Sequence, residues 1–311
     1  MAHPEYTWLD GKVTPWGESR IHINTDAVLR GASVFEGLRA YRAAEGDEVN
    51  LFRLEDHWKR LFGTSMRFLR MESPYSREEL AQGVREVLRA NGFRGDSHIR
   101  VCAYFGDVEF GHELEAVPVG VYILAFERPS VVDKKGIKST LSAWRRLQDT
   151  AMSPRVKASA NYLNGRTAMV DAKLKGFDWP VLLNADGKVS EGPGQNVFLV
   201  RDGVLITPRT TDAILEGVTR DTVLALAREL EIPTQEREVD ATELYVADEL
   251  FFCGTAMEVR PIREIDGYTV GEGAIGPLTE RLQDAYFSLV RGRSGHADWL
   301  TPVYGSAVTA S

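Results

Sequence analysis

Alternating and helix-spaced apolar positions divide the first 127 residues into short α and β elements. Val34 to Arg42 and Val49 to Arg53 have β-type composition and flank the turn-rich Ala43-Ala44-Glu45-Gly46-Asp47, which predicts two strands. From about Leu54 to Leu69 the residues Trp58, Leu61, Phe62, Met66 and Leu69 recur at helical spacing, which predicts one helix. Ser76-Arg77-Glu78-Glu79 has the form of a capping box opening a second helix, and Asn91-Gly92 marks its end. Ile99 to Phe105 and Val119 to Phe126 are apolar runs of strand length and read as buried strands.

Glu127 to Gly136 interrupts this pattern with proline, glycine and charge. The division that follows is an N-terminal α+β domain over 1–127, a linker over 128–136 and a C-terminal domain over 137–311. The second half is richer in strand and turn signals. Asn184-Ala185-Asp186-Gly187 and Arg201-Asp202-Gly203 read as hairpin turns, Thr219 to Leu230 and Pro277 to Val290 as helices. From Gly292 onward the chain has little patterning and is expected to be a loose tail.

Composition narrows the class. A chain of 311 residues is long for one hydrophobic core, so two domains are expected. Hydrophobic residues at 43% and charged residues at 26% are the values of a folded globular protein. The formal net charge of −8 argues against a nucleic-acid or anionic-membrane surface. No stretch approaches the roughly twenty apolar residues that span a bilayer, and Met1-Ala2-His3-Pro4-Glu5 lacks a secretory pattern, so a cytoplasmic protein is expected. Cys102 and Cys253 lie in separate apolar runs and read as buried reduced thiols. The six histidines are scattered without metal-ligand spacing, and no metal site is expected.

Candidate chemistry concentrates in two segments. Arg155-Val156-Lys157-Ala158-Ser159-Ala160-Asn161-Tyr162-Leu163 sets a lysine among small neighbours with a tyrosine five residues on, and Ser190-Glu191-Gly192-Pro193-Gly194-Gln195-Asn196 embeds a carboxylate in glycine and proline. A crowded, desolvated lysine favours its neutral, nucleophilic form and can form a Schiff base with an aldehyde cofactor. A fixed carboxylate can keep a pyridine nitrogen protonated, and a phenol can hydrogen-bond a ring hydroxyl; these are the groups that a pyridoxal phosphate enzyme supplies. Residue by residue the plainer readings stay open: a solvated lysine near a helix start, a turn carboxylate, and Thr219 as a helix N-cap.

The motifs in combination resemble one family. Ala32-Ser33-Val34-Phe35-Glu36-Gly37-Leu38-Arg39, Asp56-His57-Trp58-Lys59-Arg60-Leu61, Lys157 to Leu163 and Ser190 to Asn196 occur in the order found in fold-type IV pyridoxal phosphate aminotransferases of the branched-chain amino acid aminotransferase family. Glu216 to Asp221, Ala247-Asp248-Glu249 and Cys253 to Glu258 continue the likeness, which covers Tyr6 to about Leu289. The resemblance implies a two-domain α+β fold of the D-amino acid aminotransferase-like type, with a smaller N-terminal α/β domain and a larger, β-barrel-like C-terminal domain. It implies Lys157 as the Schiff-base and proton-shuttling residue, Glu191 on the pyridine nitrogen, Tyr162 on the ring oxygen and Asn196 supporting them. Gly217, Val218 and Thr219 at a helix start, with Gly254, Thr255 and Arg60, would hold the phosphate. A homodimer or larger assembly is also implied.

On the substrate side the resemblance points to Phe35, Gly37, Arg39, Arg100, Arg128, Thr255 and Ala256. Two positions depart from the common pattern: Arg30 stands where an aromatic residue is usual, and His98 where tyrosine is usual. His98 and Arg100 share one face of a β-type segment, and an arginine there suits bidentate recognition of a carboxylate, with a structural ion pair as its plainer alternative. The expected activity is transfer of an amino group from a branched-chain-type L-amino acid, or a primary amine, to a 2-oxo acid. An (R)-selective amine transaminase or a D-amino acid transaminase on the same scaffold is the alternative. An aminodeoxychorismate-type lyase and a binding protein without the cofactor are more remote readings.

Overall fold

The computed structural model describes residues 3–106 and 117–305. Met1 and Ala2, and the end of the expected tail at 306–311, lie outside the described residues. The chain divides into two units: Met1–Ser130 with Val156–Ala160 and Leu289–Ser311, and Val131–Arg155 with Asn161–Ser288.

The first unit is built on a seven-stranded sheet. In chain order its strands are β1 (Tyr6–Leu9), β2 (Lys12–Pro15), β3 (Ser33–Arg42), β4 (Val49–Phe52), β5 (Ser97–Phe105) and β6 (Val119–Glu127), with Leu300–Pro302 added from the far end of the chain. The spatial order is Leu300–Pro302, β4, β3, β5, β6, β1, β2, and every pairing is antiparallel. Alternation decides what each face does. Val34, Leu38 and Ala40 of β3 and Ile99, Val101 and Ala103 of β5 join one apolar core with Leu80, Val84, Val87 and Leu88 of the capped helix Arg77–Ala90. The opposite face carries Phe35, Gly37, Arg39, His98 and Arg100.

Between β4 and β5 the structure departs from the single helix expected over Leu54 to Leu69. An α-helix covers Leu54–Arg60, a π-helical turn covers Leu61–Met66, and α geometry resumes at Arg67–Leu69. The apolar spacing is kept, because Trp58, Leu61 and Met66 are all buried in the core. The wider turn falls on Gly63, Thr64 and Ser65, three weak helix formers.

Strands β7 (Ile137–Arg145), β8 (Trp179–Leu183), β9 (Asn196–Arg201), β10 (Val204–Thr207), β11 (Thr234–Glu236), β12 (Glu249–Gly254), β13 (Glu258–Ile265) and β14 (Tyr268–Thr269) form the eight-stranded mixed sheet of the second unit. Its path is β11-β10-β9-β12-β13-β7-β8, with β14 beside β13. The Arg201-Asp202-Gly203 turn joins β9 and β10 tightly, as Val204 pairs with Arg201. Helices Asn161–Leu174, Val218–Glu229 and Pro277–Val290 accompany the sheet. The last of these starts against Glu249, whose carboxylate accepts the N–H groups of Leu278 and Thr279.

The two units group the chain differently from the expected division at 128–136, and part of the expected tail is ordered. Residues 128–136 are tied down within the units: Arg128 N–H donates to Asp96 O, Ser130 hydrogen-bonds the Asp96 carboxylate, and Asp133 pairs with Arg260. Residues 156–160 and 289 onward group with the first unit because their hydrogen bonds run to β3 and β4. Within the described part of the expected loose tail, Leu300–Pro302 is an added strand. Leu300–Pro302 pairs with β4, Val303 is fully buried, and Glu48 accepts the N–H groups of Val49, Val303, Tyr304 and Gly305. The pattern is too short to read locally, since three strand residues and one apolar anchor depend on a carboxylate far back in the chain.

Burial alone would raise the Glu48 carboxyl, but those backbone N–H groups hold it below its ordinary value. Glu48→Ala should lower stability at neutral pH by ~1–3 kcal/mol in urea unfolding. Because the folded value is depressed, the wild-type advantage is present above the ordinary carboxylate value and is lost as pH falls through the folded one. An unchanged urea midpoint would show that the tail is held by its apolar contacts alone.

Candidate active site

Lys157 is set by backbone hydrogen bonds to the edge of β3. Only Ala40–Arg42 of β3 pair with β4, which leaves the start of that edge for residues 156–160. Phe35 N–H donates to Lys157 O at 2.9 Å, Ser159 N–H donates to Ser33 O at 2.9 Å, and Val34 and Ala158 form an antiparallel bridge. Lys157 N–H donates to Ser65 Oγ at 3.1 Å, and Ser65, on the π-helical turn, is completely buried. The lysine is 9% exposed, with Nζ 4.9 Å from the Phe35 ring centroid. Crowding by small neighbours, expected from the sequence, is thus a continuation of the sheet.

The same face of β3 and β5 gathers the cationic residues of this unit. Arg100 lies over the Phe35 ring, 3.9 Å from its centroid, and pairs across the strands with Gly37. Arg39 is 2% exposed, donates from Nη2 to Ser130 Oγ at 3.0 Å and lies over the Tyr41 ring. His98 stands opposite Arg39 in the register. On the neighbouring strand Phe126, Leu124 and Tyr122 face His98, Arg100 and Cys102, and so extend the predicted set. Arg128 follows at the end of β6 and is exposed. Arg30 lies in the last turn of the short helix Asp26–Arg30, with its guanidinium on Asp26 and its side chain 50% exposed.

Arg60 belongs to a buried ionic cluster. Its Nε and Nη2 donate to the two oxygens of Glu36 at 2.7 and 2.8 Å, and His57 Nδ1 lies 2.7 Å from Glu36 Oε2. Burial works to raise the Glu36 carboxyl, but Arg60 and then His57 outweigh it and hold the group ionised well below its usual range. For His57 burial dominates and lowers the imidazole. Glu36 occupies the apolar face of β3, between Val34 and Leu38. A carboxylate in that register, with His57 and Arg60 one helical turn apart, was the sequence signal for this cluster.

In the second unit Glu191 is the centre of a rigid polar cluster. It is 3% exposed, on an extended segment tied to Leu182 by hydrogen bonds from Leu182 N–H and Ser190 N–H. Arg146 Nη2 lies 2.8 Å from Oε1, while Asn196 Nδ2 and Leu215 N–H donate to Oε2 at 3.0 and 3.1 Å. Arg146 carries no local sequence signal, since its partner is far along the chain. Asn196 also donates to Leu215 O and presses on Gly217, where a Cβ would fall 2.1 Å from its Oδ1. Gly217 is therefore required by close approach. It is the N-cap of helix Val218–Glu229, which begins without a side-chain cap, so Thr219 lies inside the first turn and is not the cap. The same segment meets Tyr162, whose Cε1 is 3.4 Å from a Cβ built on Gly194. Gly254 ends β12, and Thr255 and Ala256 turn the chain into β13.

Comparison with known proteins identifies the family. Residues 33–265 match the family model described as amino-transferase class IV. A probable branched-chain-amino-acid aminotransferase of Aquifex aeolicus is 40% identical over 304 residues, covering 96% of this chain and 97% of the relative. The branched-chain-amino-acid aminotransferase of Pseudomonas aeruginosa is 38% identical over 95% of this chain and 96% of its own length. Among solved structures, the Thermobaculum terrenum branched-chain aminotransferase in its PLP form has a TM-score of 0.90 at 40% identity, covering 98% of this chain and 100% of that one. The chain belongs to the class IV aminotransferases and, within them, to the branched-chain-amino-acid aminotransferase family.

It is accordingly a pyridoxal phosphate-dependent transaminase whose substrates are an amino acid and a 2-oxo acid. The residues present fit that cofactor: a buried, backbone-fixed lysine, a buried carboxylate locked by an arginine and an asparagine, and a helix start left without a side-chain cap. Among the described residues no helix is long and apolar enough to cross a membrane.

Arg146→Leu should strand the Glu191 charge in a buried site and cost ~3–5 kcal/mol in urea unfolding. Arg146→Leu combined with Glu191→Leu should recover a large part of that loss. Equal destabilisation in the single and double variants would show that packing by Arg146, not charge pairing, holds the cluster.

Proposed function

We propose that this chain moves the α-amino group of a branched-chain L-amino acid to a 2-oxo acid, with Lys157 as its catalytic lysine. The observation that carries the assignment is the setting of Lys157, buried and held through its backbone on both sides by β3 and by Ser65. Pyridoxal phosphate, when bound, supplies an electron sink and carries the amino group between the two half-reactions. Lys157 would take the proton from the substrate Cα and deliver it to the cofactor's C4′, so its backbone must not drift during the transfer.

The other roles follow from charge and placement. Glu191, with both oxygens already engaged by Arg146, Asn196 and Leu215, keeps a fixed negative charge for the pyridine nitrogen. Tyr162 donates to the ring oxygen. The first turn of Val218–Glu229, at Gly217, Val218 and Thr219, receives the phosphate with Gly254 and Thr255, and Arg60, oriented by Glu36, neutralises it. Phe35, Gly37, Arg39, His98 and Arg100 form the substrate side of the first unit, with Arg128; Thr255 and Ala256 are the substrate residues of the second. Arg30, already paired with Asp26, acts at most at the rim.

A homodimer or larger assembly, working in the cytoplasm, completes the reading. It is supported by the exposed apolar side chains Ile23, Val28 and Leu29 around Asp26–Arg30, and by the buried free thiols Cys102 and Cys253.

Lys157→Ala should abolish transamination between L-leucine and 2-oxoglutarate while leaving the circular dichroism spectrum and melting transition in place. Retained turnover would move the catalytic role to another residue. Glu191→Gln should reduce kcat by about a hundredfold or more with a much smaller effect on cofactor affinity. An unaltered kcat would remove Glu191 from the pyridine nitrogen.

A further inference from the structure

Asp96, one residue ahead of β5, anchors a chain of hydrogen bonds that ends on Arg39. Its carboxylate takes both terminal nitrogens of Arg291, one on each oxygen, and the Arg42 N–H donates to Oδ1 at 3.0 Å. Oδ2 also receives Ser130 twice, from the backbone N–H at 3.2 Å and from the hydroxyl at 2.7 Å. The Ser130 hydroxyl oxygen in turn accepts from Arg39 Nη2 at 3.0 Å. Arg128 N–H donates to the Asp96 carbonyl, so both ends of the Arg128–Ser130 stretch are tied to one residue.

The direction of donation along this chain is fixed by chemistry. Burial works to raise the Asp96 carboxyl, but Arg291, then Ser130 and the Arg42 N–H, outweigh it and hold the group below its ordinary value. An ionised carboxylate only accepts, and a serine hydroxyl has a single hydrogen. That hydrogen goes to Asp96, which leaves the lone pairs of Ser130 Oγ for the Arg39 guanidinium. Arg39 is 2% exposed and lies over the Tyr41 ring, 5.1 Å from its centroid, with Arg291 at 5.6 Å from the same ring. Tyr41 gives the guanidinium a surface to rest on, and Ser130 fixes one of its N–H groups.

Taking this face as the substrate side proposed above, we propose that Asp96 and Ser130 are positioning residues for the transamination: Asp96 orients the Ser130 hydroxyl, and Ser130 holds the Arg39 guanidinium where it meets substrate. Both act through Arg39 and neither contacts substrate itself. An arginine ordered only on binding loses its rotamer freedom at that moment and weakens affinity; one held beforehand does not. Arg39 faces bound substrate in the ground state and in the transition state alike, so its displacement raises KM and leaves kcat nearly unchanged. Asp96 and Ser130 carried no local sequence signal, because 34 positions separate them.

The test uses the protein loaded with pyridoxal phosphate. Turnover of L-leucine with 2-oxoglutarate is measured beside calorimetric titration of 4-methylpentanoate, an unreactive probe that lacks the amino group. Ser130→Ala removes the hydroxyl but leaves the pairing of Asp96 with Arg291 in place. It should raise the dissociation constant of the probe and the KM of L-leucine by about three- to tenfold, with kcat held within about twofold and the melting transition nearly unchanged. Ser130→Thr, which restores a hydroxyl, should bind the probe as the wild type does. Asp96→Asn should weaken binding in the same direction, and adding Ser130→Ala to it should weaken it little further, since both changes interrupt one chain. A full loss in Ser130→Thr, additive losses in the double variant, or a drop in kcat at unchanged probe affinity would overturn the positioning role. So would wild-type affinity in Ser130→Ala when Arg39→Lys binds the probe weakly; the transaminase reading stands in each of these cases. Wild-type affinity in Arg39→Lys would remove Arg39 from the substrate side, and the inference with it. Absence of any transamination by the wild type would overturn the proposed function itself.

Discussion

Two backbone hydrogen bonds, Phe35 N–H to Lys157 O and Ser159 N–H to Ser33 O, are the constraint on which the arrangement turns. They make β3 serve three purposes at once. One face of the strand packs the core, the other displays Phe35, Gly37 and Arg39, and the open edge receives the lysine segment. A slip of one residue in this register would send Glu36 to the displayed face and Phe35 into the core. Long burial on the core side is what prevents that slip. The position of Lys157 is therefore inherited from hydrophobic packing on the far side of the sheet.

Each unit also holds a deeply buried carboxylate against an arginine. Glu36 is held by Arg60 and His57, Glu191 by Arg146 and Asn196. Ion pairs this deep contribute little net stability, because desolvation offsets most of their attraction. Their value is positional. The first fixes the orientation of a guanidinium, the second fixes the orientation of a carboxylate, and both orientations are set before any ligand arrives.

Much of this was legible in the chain, for reasons that separate cleanly. Strand alternation exposed β3 to β6, and the capping box at Ser76 located the helix after it, because these signals are local. Lys157 and Glu191 stood out because small residues, glycine and proline surround them, and Gly217 because it opens a helix. What escaped depended on partners distant in sequence. Arg146 looks like any surface arginine until Glu191 is placed beside it, and Ser65 looks like a helix defect until Lys157 N–H reaches it. The tail was misread for the same reason: its strand exists only because β4 and Glu48 are waiting for it. Arg30 was singled out by its departure from the family pattern, and the structure gives it an ordinary partner in Asp26.

The Leu300–Pro302 strand has a consequence for biosynthesis. The sheet of the first unit draws on stretches of chain far apart in sequence: its N-terminal part, the lysine segment and Leu300–Pro302. Synthesis from the N-terminus delivers β4 long before the strand that covers its outer edge, and nearly all of the second unit is made in between. The nascent chain must carry an unfinished sheet edge, with β4 unpaired on one side, until Leu300–Pro302 emerges to cover it.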